Sequence, residues 1–465
     1  MLSKKVVIIF VFLLFFSNAY TVTLSDLLES ALQNNADIVS AQKTYDNAVL
    51  SSKTLNGELA PSVNVSSSAT LPDGYNWDKA PDSFSSNISV SQPLFSGTTI
   101  SAIGLYSYNI ATMNEKRYIS QSPNISFSLT QSLFPFWLQG KLKDPSILSL
   151  RLQKKYYYSQ LLYTKKTVLQ NLIQNYIYAL VYKNEITIYQ NSINLLDEQI
   201  KAFKQLKDSG NTNQAKILEM ENSKWNYQQN LMNAFSNYEG YLQNIKTICG
   251  CNFDDSDNYF SFGSESLNED KIIRLINNSL DNIADPLEET YKLRLEILNA
   301  NRTLEKQNSA PTLTVSIQPS WTLDVTKSEE WKKSWNNLGS PSSWNTSISI
   351  NFSPLISGIA KQNKKRFEND YAAVEKSYNS YLAQKKFVHQ QYDSLREHYE
   401  NQLNSVSKLF SEGRKELEDH AQQFSVGAIS QLDYESMRIS VENCGLSKNC
   451  IELYLWLYQT LILMN

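Results

Sequence analysis

Two rhythms of apolar residues run through the chain. Over residues 145–208 the apolar positions recur every three to four residues: Leu169, Leu172, Tyr176 and Leu180, with Ile173 and Ile177 alongside, make a wide stripe at helical spacing. This predicts one helix from about Pro145 to Asp208, ended by Gly210, and a second from about Asn213 to Ile248. The plan returns later as a helix from about Ala360 to Gln423, a break at Gly427 and a helix from about Ser430 to Leu463. Elsewhere the rhythm shortens to two. Ile125, Phe127 and Leu129 alternate with Asn124, Ser126, Ser128 and Thr130; Leu313, Val315 and Ile317 alternate with Thr312, Thr314 and Ser316. Ile348, Ile350 and Phe352 do the same against Ser347, Ser349 and Asn351. Such strands have one apolar and one polar face. They fit either a sheet lying on a core or a membrane barrel with lipid outside and water inside. In the second case Trp321 and Trp344, with Trp331 and Trp335 between them, suit an aromatic girdle and an outer loop.

The prolines divide the chain the same way. All twelve fall in two windows, seven between Pro61 and Pro145 and five between Pro286 and Pro354. A proline inside a helix costs about 3 kcal/mol, so the proline-free tracts are where long helices fit, and the windows are where strands fit.

The halves also repeat each other. Ala60-Pro61-Ser62-Val63-Asn64-Val65 matches Ala310-Pro311-Thr312-Leu313-Thr314-Val315, each after a helical stretch of about 35 residues. Those stretches open with capping-box patterns, Thr23…Asp26 and Ser266…Glu269. Phe127–Gly140 resembles Ile348–Gly358, and the Gly210 turn matches the Gly427 turn. The expected organisation is a first half over 20–250, a linker over 251–268 and a second half over 269–465. A helix of about 64 residues spans about 95 Å, and one of about 36 residues spans about 54 Å. Two short helices end to end therefore match one long one. A chain built this way buries apolar surface against neighbouring helices, including those of other copies.

Composition narrows the function classes. The 465 residues carry a net charge of −3 with 42% hydrophobic residues, which gives no basic stripe for nucleic acid and ample apolar material for a folded chain. Lys4 and Lys5, the apolar run Val6–Phe16 and Ser17-Asn18-Ala19 have the form of a signal peptide over 1–19. No later segment reads as a spanning helix; Ile451–Met464 is too short and is interrupted by Glu452 and Gln459. Cys444 and Cys450 lie six apart in one predicted helix, about 9 Å and beyond disulfide reach. Cys249 and Cys251 are incidental or a strained pair. No four-ligand metal spacing appears. His389, His398 and His420 lack HExxH spacing, and neither GxSxG nor a phosphate-binding G-x4-GK[ST] loop is present. The expectation is a protein that is not an enzyme and uses no metal or cofactor.

An exported, duplicated chain of helix, β-hairpin, long helix, glycine turn and helix resembles the TolC-type outer-membrane efflux channels over nearly its whole length. The resemblance rests on Ala60-Pro61 and Ala310-Pro311, on Gln92-Pro93-Leu94-Phe95-Ser96-Gly97, and on Val426-Gly427-Ala428-Ile429-Ser430-Gln431-Leu432-Asp433. It implies an α+β membrane protein: a homotrimer sharing one transmembrane β-barrel in outer-membrane lipid, continued by a periplasmic α-helical barrel. It implies an exit duct of a tripartite efflux or type I secretion system, working with a periplasmic adaptor protein and an inner-membrane pump and passively conducting small molecules or polypeptides. No nucleic acid is involved.

The resemblance also assigns residues. The turns at Gly210, Asn211, Thr212 and Asn213, and at Gly427, Ala428, Ile429 and Ser430, correspond to tips that dock the adaptor; a plain helix C-cap explains the glycines equally. Asp433 occupies the first of two acidic ring positions at the pore constriction. Ser436 holds the second, with Glu435 adjacent, so one ring is missing, and Lys216 stands at the matching site of the first half. A solvated flank charge is the other reading of Asp433. A further departure lies in the first half, where four strand candidates (Ser62–Ala69, Ser86–Phe95, Thr99–Ile110 and Ser122–Phe134) replace the expected two. They are either an extra hairpin, giving six strands per chain rather than four, or an outer loop with residual β character. The competing functions are a periplasmic adaptor and a structural coiled-coil protein of the envelope. An adaptor has one helical hairpin rather than two, and a coiled coil has no use for Ser/Asn/Thr-faced strands.

Overall fold

Helices and strands alternate in two matched series in the computed structural model. It describes residues 23–58, 60–71, 81–94, 98–113, 116–134, 145–208, 214–250, 269–281, 285–308, 312–322, 341, 343–351 and 357–464. The first series is α1 (Leu24–Asn34), α2 (Ala36–Glu58), five strands, α3 (Pro145–Asp208) and α4 (Gln214–Cys249). The second is α5 (Glu269–Ser279), α6 (Pro286–Asn308), two strands, α7 (Ser357–Ser425) and α8 (Gln431–Met464). The duplication extends to lengths: α1 and α5 both have 11 residues, α2 and α6 both have 23. The signal-peptide segment, the 251–268 linker, Cys251, Trp331 and Trp335 lie outside the described residues.

Each opening helical stretch is two helices where the sequence predicts one. In the first half Asn35 turns extended (ψ 128°), and its side-chain oxygen accepts from the Asp37 and Ile38 amides at 3.0 and 3.3 Å. It thus caps α2, while its amide nitrogen donates to the Ile248 carbonyl at 2.9 Å. Asp285 does the corresponding work for α6, accepting from the Glu288 amide at 3.0 Å with Pro286 in the first helical position. Thr23 and Asp26 form a full capping box at the start of α1.

Two units share the residues. One comprises 1–43, 158–289 and 378–465, the other 44–157 and 290–377. The first is helical, and its core takes the predicted α3 stripe: Leu169, Leu172, Ile173, Tyr176, Ile177 and Leu180 are all buried. Leu24, Leu27, Leu28 and Ala31 of α1 are buried as well, as are Leu453, Leu457 and Leu461 of α8. The Cys249 and Cys450 thiols are buried and face the Leu27 and Val181 carbonyls at 3.6 and 3.8 Å.

The second unit holds all the strands among the described residues: β1 (Ser62–Thr70), β2 (Ser83–Pro93), β3 (Thr98–Met113), β4 (Lys116–Gln121), β5 (Asn124–Phe134), β6 (Thr312–Thr322) and β7 (Ser343–Asn351). They form one sheet in the order β1-β2-β3-β5-β6-β7, with β4 paired to β3 off that path and every pair antiparallel. β4 adds no lateral position. Tyr108 faces Gln121 and Leu105 faces Asn124, one unbroken register, so β4 and β5 are one line interrupted at Ser122-Pro123, where proline lacks the ladder donor. The first half thus supplies β2 and β3 in addition to β1 and β5, and the path holds six strands, not four.

The helical segments of this unit share a small cluster. Leu152 of α3 and Leu293 and Ala300 of α6 are buried together with Tyr156 and Ile297 against them, and Ser149 donates to Asn301 at 2.9 Å.

Candidate functional site

Cross-strand partners share a face, so the register sorts the whole sheet. On one side lie Val63 and Val65 of β1, opposite Val90 and Ile88 of β2, then Ile100 and Ala102 of β3 opposite Leu129 and Phe127 of β5. Ile317 of β6 continues the row opposite Leu129, and Ile348 and Ile350 of β7 lie opposite Val315 and Leu313. This face is open: Val63 is 65% exposed and Ile348 70%. The opposite side carries Ser62, Asn64, Ser66, Ser85, Ser89, Ser101, Ser128, Thr314, Ser316, Ser347 and Ser349, with Ile103 and Leu105 the apolar interruptions. Hydroxyls bridge the strands there, Ser316 to Ser347 at 2.7 Å, Ser320 to Ser343 at 2.5 Å and Ser68 to Ser85 at 2.7 Å. Gln318 donates to Ser126 at 3.3 Å.

β1, β2, β3, β5, β6 and β7 contain no Asp, Glu, Lys or Arg on either face; strand charge begins at Lys116 and Arg117 of β4. At the same end of the sheet an aromatic row crosses the apolar face. Phe84 stacks on Tyr108 at 5.9 Å, Trp321 meets Phe127 edge-on at 5.8 Å, and Trp344 stands exposed on β7.

The turn between α7 and α8 is a Schellman motif. Gly427 has φ +72°, its amide reaches the Phe424 carbonyl at 2.9 Å, and the Ala428 amide reaches Gln423 at 2.8 Å. The C-cap reading of this glycine is thereby met, and glycine is the residue for a positive φ. Ser430 and Asp433 close the next helix start: the Asp433 carboxylate accepts from the Ser430 hydroxyl at 2.6 Å, and the Asp433 amide donates back at 3.1 Å. Asp433 is therefore an N-terminal capping acid with its charge on the favourable end of the helix dipole, and it is exposed. Glu435 accepts from Arg438 at 2.7 Å, while Ser436 follows one position later, half-buried. Phe424 and Tyr434 stack across the turn at 5.2 Å. Gly427, Ala428, Ile429, Ser430, Asp433, Glu435 and Ser436 thus lie within one turn and the first helical turns after it. Gly210, Asn211, Thr212 and Asn213 lie outside the described residues, and Lys216 pairs with Glu219 at 3.2 Å.

One polar cluster has no counterpart in the sequence reading. Asp285 accepts from both Lys385 and Tyr381 of α7, the latter at 2.8 Å to each carboxylate oxygen, and Tyr378 donates to Glu288 at 3.2 Å. Burial pushes the Asp285 carboxyl up, but hydrogen bonds from Lys385, the Glu288 amide and Tyr381, with the Lys385 charge, outweigh it and hold the carboxyl below its ordinary range. Burial lowers the nearby Lys166 ammonium. The Asp285-Pro286 pair was the available signal, as an N-cap followed by a first-turn proline. Among the described residues no group of His, Cys, Asp and Glu is placed to hold a metal.

No protein-family model matches the sequence, and no curated protein is similar to it in sequence. Solved structures do match in fold. The outer-membrane channel OprN aligns with 95% of this chain and 89% of its own, at 15% identity and a TM-score of 0.59. The Campylobacter jejuni CmeC outer-membrane channel aligns over 95% and 84%, at 12% identity and a TM-score of 0.59. The open state of the Neisseria gonorrhoeae MtrE outer-membrane channel aligns over 95% and 89%, at 14% identity and a TM-score of 0.57.

Proposed function

From a chain that has the fold of TolC-type outer-membrane channels, we propose an outer-membrane exit duct, assembled from three copies, that passively conducts small molecules or polypeptides outward. A periplasmic adaptor protein and an inner-membrane pump are its partners. The observation that carries this reading is the two-faced sheet: one side mostly apolar and open in the protomer, interrupted at Ser67, Ser86, Gln92, Gln131 and Thr346, and one side mostly of Ser, Thr and Asn, interrupted at Ile103 and Leu105. An exposed apolar expanse of this kind marks a surface that is covered in use. The uncharged strands β1, β2, β3, β5, β6 and β7, with an aromatic row at one end, suit lipid, while hydroxyls and amides suit a wet bore.

Each part then has a task. The strand wall excludes lipid and offers cargo a neutral, hydrogen-bonding lining. The Gly427–Ser430 turn and its counterpart at Gly210–Asn213 serve as docking tips for the adaptor. Three copies of Asp433 near a shared axis repel one another and attract cations, as acidic pore rings do, with Glu435 and Ser436 beside them at the constriction. The capping role of Asp433 is compatible with this task, since the cap fixes where the carboxylate sits. Neither a periplasmic adaptor nor an envelope coiled coil accounts for the lipid-suited sheet.

The test is fractionation and conduction. The protein is expected in the outer-membrane fraction as heat-modifiable trimers on denaturing gels, and purified trimers are expected to open conducting channels in planar bilayers. Recovery as a water-soluble protein without channel activity refutes the proposal.

A further inference from the structure

The sheet leaves two edges. Among the described residues β1 pairs only with β2, and β7 only with β6. An open edge exposes a row of unpaired amides and carbonyls, and in a bilayer such groups must be satisfied. We infer that the β1 edge of one copy pairs with the β7 edge of the next, so that all six strands of each protomer enter the wall and three copies close an eighteen-stranded barrel. The inference deepens the duct proposal and rests on its trimer.

Parity carries the argument. Every neighbour on the path is antiparallel, so the first and last of six strands run in opposite directions. Identical copies related by rotation then meet antiparallel at β1 and β7, and the seam repeats the geometry of the rest of the sheet. A path of five or seven would force a parallel seam. β4 leaves the count even because it is collinear with β5. The edges are also matched, nine residues each.

Sidedness agrees. Val63 and Val65 end the apolar face at one edge, and Ile348 and Ile350 end it at the other. A head-to-tail join therefore keeps apolar residues outside and hydroxyls inside at the seam. These edge residues are the most open of their face, Ile350 at 70% against 39% for Val90 and Ile317 of inner strands. Rotation of a head-to-tail contact either closes or grows a filament, and three copies close here.

Size is the functional consequence. With strands about 4.8 Å apart and tilted about 40°, eighteen strands enclose a wall about 36 Å across between backbones, against about 24 Å for four strands per copy. That is the range in which barrels hold an open aqueous channel, and the six strands of the path, β1, β2, β3, β5, β6 and β7, carry no charged residue. The strand section is then wide enough for bulky cargo, and discrimination falls to the helical part.

Cysteine pairs on the bore face test the seam. Asn64→Cys is combined in turn with Asn345→Cys, Ser347→Cys or Ser349→Cys, spaced two apart to sample register without changing face. Ser68→Cys with Ser85→Cys, whose hydroxyls are 2.7 Å apart, reports correct folding by an internal bond. Under oxidation in membranes, at least one β1–β7 pair should give covalently linked trimers, absent with either single substitution. Heat-modifiable, conducting trimers in which the folding control closes but no β1–β7 pair links, or in which Ser101→Cys of β3 links to β7 instead, overturn the seam and leave the duct standing. Loss of trimer and conduction in the unsubstituted protein overturns both.

Discussion

Replacing Asp285 tests whether the polar cluster at the start of α6 holds that helix. Its carboxylate caps the helix through the Glu288 amide and receives Tyr381 and Lys385 from α7. Loss of an N-cap costs about 0.5–2 kcal/mol, and loss of hydrogen bonds to a charged group about 1.5–3 kcal/mol. The pair is only partly screened, with the Asp285 side chain 10% and the Lys385 side chain 32% exposed, and Lys385 keeps Glu288 at 3.7 Å. Asp285→Ala should therefore cost about 2–4 kcal/mol locally, and Asp285→Asn, which still caps, about 1–2 kcal/mol. Hydrogen exchange of the first turn of α6 reads local opening. Exchange should accelerate about 30-fold to several hundred-fold in the alanine variant and about 5- to 30-fold in the asparagine variant, at about 1.4 kcal/mol per decade. A carboxyl held below its ordinary value of 3.8 binds its proton less readily in the closed state than in the open one. Its protection is thus complete above about pH 4 and is lost as pH falls through the lowered value. Alanine-variant exchange within twofold of the parent, at neutral pH, refutes the reasoning.

Other expectations follow from the sheet and the turn. Ile348→Lys on the apolar face should cost about 2–4 kcal/mol per copy in lipid and deplete outer-membrane trimers, whereas Ser347→Lys on the opposite face should spare them; equal losses count against the assignment of faces. Asp433→Ala should weaken cation block and alter conductance in bilayers, and an unchanged record removes it from the constriction. At Gly427 an added Cβ meets nothing within 4 Å, so the cost of Gly427→Val is the backbone's own, about 1–2 kcal/mol. Gly427→Asn should cost less, as measured by exchange across residues 424–430.

Local chemistry made much of this protein legible in its sequence. Proline cannot sit inside a helix, and the proline-free tracts hold α3, α4, α7 and α8. The 3.6-residue stripe around Leu172 marked the face that α3 buries, because a helix carries its periodicity wherever it packs. Period-two alternation likewise marked the faces of β5, β6 and β7. The breaks at Asn35 and before Pro286 do not show in the periodicity because one extended residue barely disturbs an apolar rhythm, although Asn and Asp-Pro are cap signals. Ser430-x-x-Asp433 is readable in the sequence as a capping box, and the structure shows that box formed.

Pairing belongs to the tertiary structure. β5 lies beside β6 across almost two hundred residues, and alternation says which face a strand shows but never which neighbour it has. Only the sheet order shows that β2 and β3 stand in the path and that β4 continues β5, since hydrogen-bond partners are chosen by non-local geometry. The Asp285–Lys385 contact spans 100 residues for the same reason: a lone acid and a lone base on distant helices carry no pattern until packing brings them together.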